Sequence, residues 1–446
     1  MNAKQGKKHL PYLLSIVFFA AIFRLAFFFQ NPQIIINIDT FSYYKIAQLI
    51  AKDGFRYFMN TERTSLYPVV LNLATQVTGH YQAAVESPEF YLSMGLLLLF
   101  QSTLGLMSLI ILYKILVLIK VKTIPAYLYT LFIAGNIMVF GWERLLLTES
   151  LSVFWLIMTT YLLILILKNP KNQYFLVLTI LFLLGFLLKP FYLLFPIVVY
   201  FIILLHHHRK KIVIACFLSL LLFYAFVAFY IQHNQTYFGN ATVSRNGDIN
   251  LLGKILQFRL PIEAASSEEY FYQKVKDYYV FGGDPMPYRF LDNCDPDIYD
   301  KAEMMRSLRR FNRKVILANL PQYLSQSTKQ LPSALLESSE LLVFPDAKTG
   351  FLNYFISFLY QTYRKFQILT LAVFPFYFLS LLVWSKKNDF TDTVLALLGT
   401  IAVYQILISV FLSYGEFGRL IAPVQPILYF FCFWWYWYLV KKIIHQ

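Results

Sequence analysis

The sequence predicts an all-α polytopic membrane protein, and three observations predict it. First, 58% of its 446 residues are hydrophobic and only 14% are charged; a soluble domain carries about twice that charged share. Second, the apolar residues fall in runs long enough to cross about 30 Å of hydrocarbon. Third, short lysine-rich turns alternate along the chain with turns of mixed chemistry. That alternation is what the bias of basic residues toward the cytoplasmic side demands. The net charge of +15 lies largely beside spans. With no basic-aromatic domain and no zinc-finger spacing, it does not imply nucleic acid. Cys216 and Cys432 lie in apolar runs and Cys294 is alone, so no disulfide framework is expected.

Residues 1–9 carry Lys4, Lys7 and Lys8, which marks a cytoplasmic start. Span one covers about 10–29 and contains Arg24 near its outer end. Arg24 is either a snorkelling anchor or a group facing a polar site above. Residues 30–90 form a first outer loop. Asp39-Thr40 can cap a helix to about Lys52, with Tyr43, Ile46, Ala47 and Ile50 on one face and Gly54 as its stop. Span two follows at about 91–119, span three at 124–140 and span four at 145–167. Lys189-Pro190 splits the apolar stretch 174–205 into two short spans joined at an outer break. His206, His207 and His208 belong to an inner turn, where three histidines in a row read as a loop rather than a metal site. Span seven is about 212–231. Residues 232–365 form a second, larger outer region, with helical segments at 263–280 and 301–320, turns at Gly282–Pro285 and Asp292–Pro296, and an interfacial helix at 351–363. Spans eight to ten run over about 366–384, 393–412 and 420–440, giving about ten in all. The chain thus divides into an N-terminal membrane module (1–231), an outer region (232–365) and C-terminal spans (366–446).

Ionisable groups collect on one face: Asp39, Glu62 and Arg63 from the first loop, Glu143, Arg144 and Glu149 before span four, Lys189 at the break, and Glu416 and Arg419 in the last turn. Charges beside hydrocarbon are costly and default to functional hypotheses. Arg and Lys can hold an anionic headgroup while a carboxylate acts as base. Each has a structural reading beside it. Asp39 can be a helix cap, Glu149 can answer a helix dipole, the arginines can anchor spans, and Lys189 can mark the turn. No Walker loop, dinucleotide fingerprint or nucleophile elbow is present, so a soluble nucleotide donor is not suggested.

These stretches resemble the multi-span glycosyltransferases of the GT-C superfamily, closest to the branch of protein O-mannosyltransferases and the lipid A aminoarabinose transferase. The residues that carry the resemblance are Asp39-Thr40-x-x-Tyr43-Tyr44-x-x-Ala47, then Arg63-x-x-x-Tyr67-Pro68, Leu147-Thr148-Glu149-Ser150, Lys189-Pro190, and Glu416-x-x-Arg419 followed by Pro423 and Pro426. Where the protein mannosyltransferases show Asp-Glu, this chain has Asp39-Thr40. The resemblance implies a GT-C fold and inverting transfer of a sugar from a polyprenyl-phosphate donor to a lipid, glycan or protein hydroxyl, outside the cytoplasm, in a bacterial plasma membrane. It implies Asp39 as base with Glu149 in the sugar pocket. Arg63, Tyr67, Lys189, Glu416 and Arg419 would lie about the donor. It leaves a divalent cation open. The rival readings are a ligase using a lipid pyrophosphate donor and a lipid or glycolipid transporter; the latter expects polar residues at mid-membrane rather than at one face.

Overall fold

The computed structural model describes residues 3–30, 32–283, 285–338, 350–387 and 389–444. Among these the chain is helical, and the sole β-type pairing is one parallel bridge between Ile35 and Leu145. Helix α1 (Ala3–Gln30) leads into the first loop, which holds α2 (Ile38–Asp53), α3 (Phe55–Phe58) and α4 (Leu66–Thr78). The first membrane module continues with α5 (Pro88–Leu118), α6 (Thr123–Ala134), α7 (Ile137–Phe140), α8 (Glu149–Lys168), α9 (Asn172–Leu188), α10 (Phe195–His206) and α11 (Lys210–Phe238). A polar unit follows, with α12 (Asn246–Phe258), α13 (Glu269–Phe281), α14 (Pro287–Cys294), α15 (Ala302–Ala318), α16 (Leu320–Lys329) and α17 (Leu331–Leu336). The chain closes with α18 (Phe351–Phe366), α19 (Val373–Lys387), α20 (Phe390–Leu412), α21 (Phe417–Ile421) and α22 (Gln425–Ile444).

Seven helices among the described residues are long and apolar enough to cross a membrane, and eight if one bent pair counts as a span. Helices α9 and α10 are apolar but shorter, so the expected ten spans become seven or eight full ones plus these two. Three boundaries also move. The expected span 124–140 is broken at Gly135-Asn136 with a 55° bend, because Asn136 caps a new helix by accepting from the Met138 amide. Helix α11 runs seven residues past the expected end at 231. Residues 351–363 are not a separate interfacial helix. They continue through the 3-10 turn Gln367–Ala372 as one apolar stretch, Phe351–Trp384, whose start lies against α1. The part of the expected outer region at 339–349, and Asp284 of the expected turn, lie outside the described residues.

The start of α2 also differs from expectation. Its cap is Asn37, whose side chain accepts from the Asp39 amide at 3.1 Å while Thr40 Oγ1 accepts from the Asn37 amide at 3.0 Å. This reciprocal box satisfies the orphan donors of the first turn. Asp39 is therefore released from capping and carries its carboxylate outward. Gly54 ends the helix at φ 58°, in the left-handed region that favours glycine. Buried Tyr43, Tyr44, Ile46 and Ala47 hold α2 against α4.

Two hydrophobic cores are present. One unites the membrane helices; the other, built on Ile249, Leu252, Phe271, Leu308 and Phe311, belongs to the polar unit. The units meet at Lys254, which is fully buried. Its Nζ donates to Gln330 Oε1 and lies 5.1 Å from the ring centres of both Phe258 and Phe417. Burial pushes this ammonium down to about 8. The folded value is below the unfolded one, so the unfolded state binds more protons between those values and stability rises with pH there. The stability difference between wild type and Lys254→Met is expected to rise by roughly 3 kcal/mol from pH 7 to 10.5. Parallel denaturation at several pH values checks this, and a flat difference would refute it.

Candidate active site

The charges singled out from the sequence do not all meet. Glu62 faces Lys45 at 3.9 Å and Arg245 at 3.4 Å. Arg144 donates to the Gln33 carbonyl and lies over the Phe28 ring. Arg24 forms a two-pronged pair with Glu143 at 2.6 and 2.7 Å inside the bundle, so its position is neither snorkelling nor within the cluster. That pair exists because α5 has no side chain at Gly105: a Cβ there would sit 1.9 Å from Glu143 Oε1. Gly105→Ala is expected to lower stability by about 1–3 kcal/mol through overpacking. Thermal denaturation of the detergent-solubilised chain reads this, and an unchanged midpoint would show that the pair can move aside.

Six other groups converge: three cations and three carboxylates. Asp39 Oδ1 accepts from Arg63 Nη2 at 2.5 Å, and Oδ2 accepts from Arg419 Nη1 at 2.6 Å. Glu149 Oε1 accepts from Lys189 Nζ at 2.9 Å and from Arg419 Nε at 2.8 Å. Arg419 Nη1 also donates to Glu416 Oε2 at 2.8 Å. Arg419 is thus the hub, touching all three acids. A planar guanidinium with five fixed donors can do this; an ammonium cannot cover the same directions.

Local structure aims each group. Asn60 Oδ1 accepts from the amides of Glu62 and Arg63, folding a turn that turns Arg63 toward α2. Its Nε then donates to Ser42 Oγ, and its guanidinium lies 4.7 Å from the Tyr43 ring centre. Lys189 is extended between α9 and the 3-10 turn Pro190–Leu193, where the proline stops α9. Thr64 Oγ1 donates to the Leu188 carbonyl and ties this break to the first loop. The stretch before α8 is pinned three ways: Leu146 N donates to the Ile35 carbonyl, Thr40 Oγ1 to the Leu146 carbonyl, and Gln101 Nε2 to the carbonyls of Glu143 and Leu145. Glu416 occupies the left-handed region at φ 56°. Such strain costs about 1–3 kcal/mol for a non-glycine residue and persists where surroundings impose it. Here Glu337 Oε1 accepts from the Gly418 amide in the same turn.

Exposure separates the roles. The Asp39 side chain is 22% exposed and that of Glu416 59%, whereas Glu149 is fully buried behind Lys189 and Arg419. Glu149 therefore holds two cations of the site, Lys189 and Arg419, in the empty protein. Tyr67 joins the cluster through Tyr43. It is fully buried, packs edge-on against Tyr43 and donates to Gln101 Oε1 at 3.1 Å, so it supports the site from below. Burial opposes the charge on Asp39, but the Arg63 and Arg419 guanidiniums outweigh it and hold the carboxyl far below the usual carboxylate range.

Tyr288 of α14 is a neighbour of this cluster that the sequence did not reveal. Its phenol lies within the electrostatic reach of Arg63, Asp39, Tyr43 and Arg245. Burial, opposed by Arg63 and aided by Asp39, pushes it up to about 12, so it remains a hydrogen-bond donor at neutral pH. The Tyr299 hydroxyl holds the Tyr288 carbonyl at 3.2 Å, and Arg245 holds the Tyr299 carbonyl at 2.8 Å. The one sequence signal was Pro287, a helix-starting proline in a polar loop.

A divalent cation does not fit this donor set. Both Asp39 oxygens already accept from guanidiniums, and among the described residues no group of three His, Cys, Asp or Glu side chains could hold a metal. No family model matches this chain, and no curated protein matches it.

Proposed function

We propose that the chain is a membrane glycosyltransferase of the GT-C type. It takes one sugar from a polyprenyl-phosphate donor and places it, with inversion, on a hydroxyl of a lipid, glycan or protein. The site face is then the extracytoplasmic face of a bacterial plasma membrane. The observation that carries this reading is the Arg419 hub: residues up to 380 positions apart meet in one charge-balanced cluster at the end of apolar helices. A balanced cluster keeps its cations ready for an arriving anion without leaving them unpaired in the empty protein.

The chemistry follows from charge. The acceptor oxygen bonds to the anomeric carbon as the bond from that carbon to the phosphate oxygen breaks. The acceptor proton passes to Asp39, and the lipid phosphate departs carrying one more negative charge than it had in the donor. Arg63, Arg419 and Lys189 meet that growing charge, the kind of preorganised stabilisation that contributes most to catalysis. In the empty site Asp39 is a weak base, because two guanidiniums hold its pKa down. A donor phosphate that draws Arg63 and Arg419 toward itself raises the basicity of Asp39, coupling base strength to donor binding. Glu149 keeps Lys189 and Arg419 in place.

The test is transfer by the full chain in liposomes from a panel of radiolabelled polyprenyl-phosphate sugars, with a membrane extract as acceptor. Label moving from donor to acceptor in a chain-dependent way is expected. Turnover only with lipid pyrophosphate oligosaccharides would replace the reading with a ligase, and ATP-independent donor flipping without transfer would replace it with a transporter.

A further inference from the structure

We propose that the α15–α16 junction of the polar unit is a membrane-contact surface that gathers anionic lipid in the leaflet next to the site. It rests on observations separate from the charge cluster and does not depend on glycosyl transfer.

Helix α15 buries Met305, Leu308, Phe311, Asn312 and Val315 against the polar unit. Arg306, Arg310, Arg313 and Leu317 advance by four, three and four residues, which places them together on the opposite face. The stripe changes character along its length. Its first three members are basic; Leu317 is 60% exposed, and Leu320 and Leu324 of α16 are 40% and 44% exposed. A single exposed leucine is ordinary, but three at one junction need a partner.

Their position says which partner. Tyr323, between Leu320 and Leu324, donates its hydroxyl to the Phe411 carbonyl. Phe411 and Leu412 are the last residues of α20, one of the helices apolar enough to cross a membrane, and Leu412 is itself 39% exposed. The exposed leucines thus lie at the level where a span leaves the hydrocarbon. A helix there with an apolar face settles into the boundary between headgroups and acyl chains. Arg313 stands one turn, about 6 Å, along α15 from Leu317, which is headgroup height for a helix rising from the boundary.

The charge on the stripe selects the lipid. Arg310 and Lys314 share one acid, Glu268, at 3.1 and 2.9 Å. Arg306 and Arg313 form no ion pair among the described residues. The face therefore keeps a net positive charge beside an apolar foot. Each basic residue near the surface strengthens attraction to anionic lipid by roughly fivefold.

The test uses the full chain in vesicles. Leu317→Cys in a Cys294→Ser background is labelled with a fluorophore, and quenching by phospholipids brominated on the acyl chain is measured. Glu303→Cys, about 21 Å back along α15, is the control site. Strong quenching at 317 and little at 303 is expected. At equal mole fraction, brominated phosphatidylglycerol is expected to quench more than brominated phosphatidylcholine, with an apparent preference on the order of tenfold. Arg306→Gln with Arg313→Gln should reduce the preference several-fold and leave the quenching. No quenching at 317 by either lipid would place the face off the bilayer. Equal quenching by both lipids in the unsubstituted stripe would overturn the anionic assignment. Cross-linking between copies at 317 in place of quenching would assign the face to a second copy.

Discussion

Replacing Asp39 by Asn is expected to lower sugar transfer by about 10²–10⁴-fold, the range contributed by a positioned general base. The substitution keeps size and the N-terminal position in α2, where Asn37 rather than Asp39 makes the cap. The helix should therefore survive and circular dichroism should change little, while the unfolding midpoint falls by the ionic stabilisation that Asp39 supplies. The expected loss is in kcat, because the proton is accepted only in the transition state. Donor binding should persist, since Arg63, Lys189 and Arg419 remain. Asp39→Glu should recover part of the activity, being a base in a displaced position. The stability side has a definite sign. The folded pKa of Asp39 is depressed, so its contribution is complete above the unfolded value of about 4 and is lost as pH falls through the folded value. At neutral pH, then, the variant gives up the stabilisation of one partly exposed carboxylate between two arginines. Full turnover by Asp39→Asn would remove Asp39 as the base and leave it as an ionic partner only.

The second large effect is expected at Arg419. Arg419→Met keeps apolar bulk and removes the hub, leaving fully buried Glu149 with Lys189 alone and Asp39 with Arg63 alone. Removing one partner of a buried ionic network costs about 3–5 kcal/mol, because the remaining charge stays buried with too little compensation. Arg419→Lys should recover only part, since one ammonium cannot reproduce separate Nε and Nη1 bonds to different acids. The pairwise term is measurable. Arg419→Met combined with Glu149→Gln should cost less than the sum of the two alone, by about 0.5–3 kcal/mol. Urea or thermal unfolding of the solubilised chain supplies the three values. An Arg419→Met protein as stable as wild type would mean that the cluster relaxes without its centre.

The membrane class and the order of apolar segments were legible in the sequence. Both follow from one-dimensional rules: hydrocarbon excludes unpaired backbone and charge, so spans must be long, apolar and helical. Asp39, Arg63, Glu149, Lys189, Glu416 and Arg419 could each be seen as charges bordering apolar runs. The Asn37-x-x-Thr40 box has a local signal of its own, since Asn is a strong cap, and it competes there with Asp39-Thr40.

Only the tertiary structure decided which charges meet. Arg24 and Glu143 look like candidates for the same cluster, yet they pair with each other because Gly105 leaves room for them. Glu149 and Asp39 are both acids at helix starts, but one is buried and the other faces outward. Tyr288 comes near the cluster through the packing of the polar unit, where its one local mark is the helix-starting Pro287. The start of the apolar stretch 351–384 lies against α1 and α7, distant segments that the local sequence does not name. The physical reason is range. Helix and turn preferences act over about four residues, whereas Arg419 and Asp39 are joined across 380; that contact exists only once the intervening helices have packed.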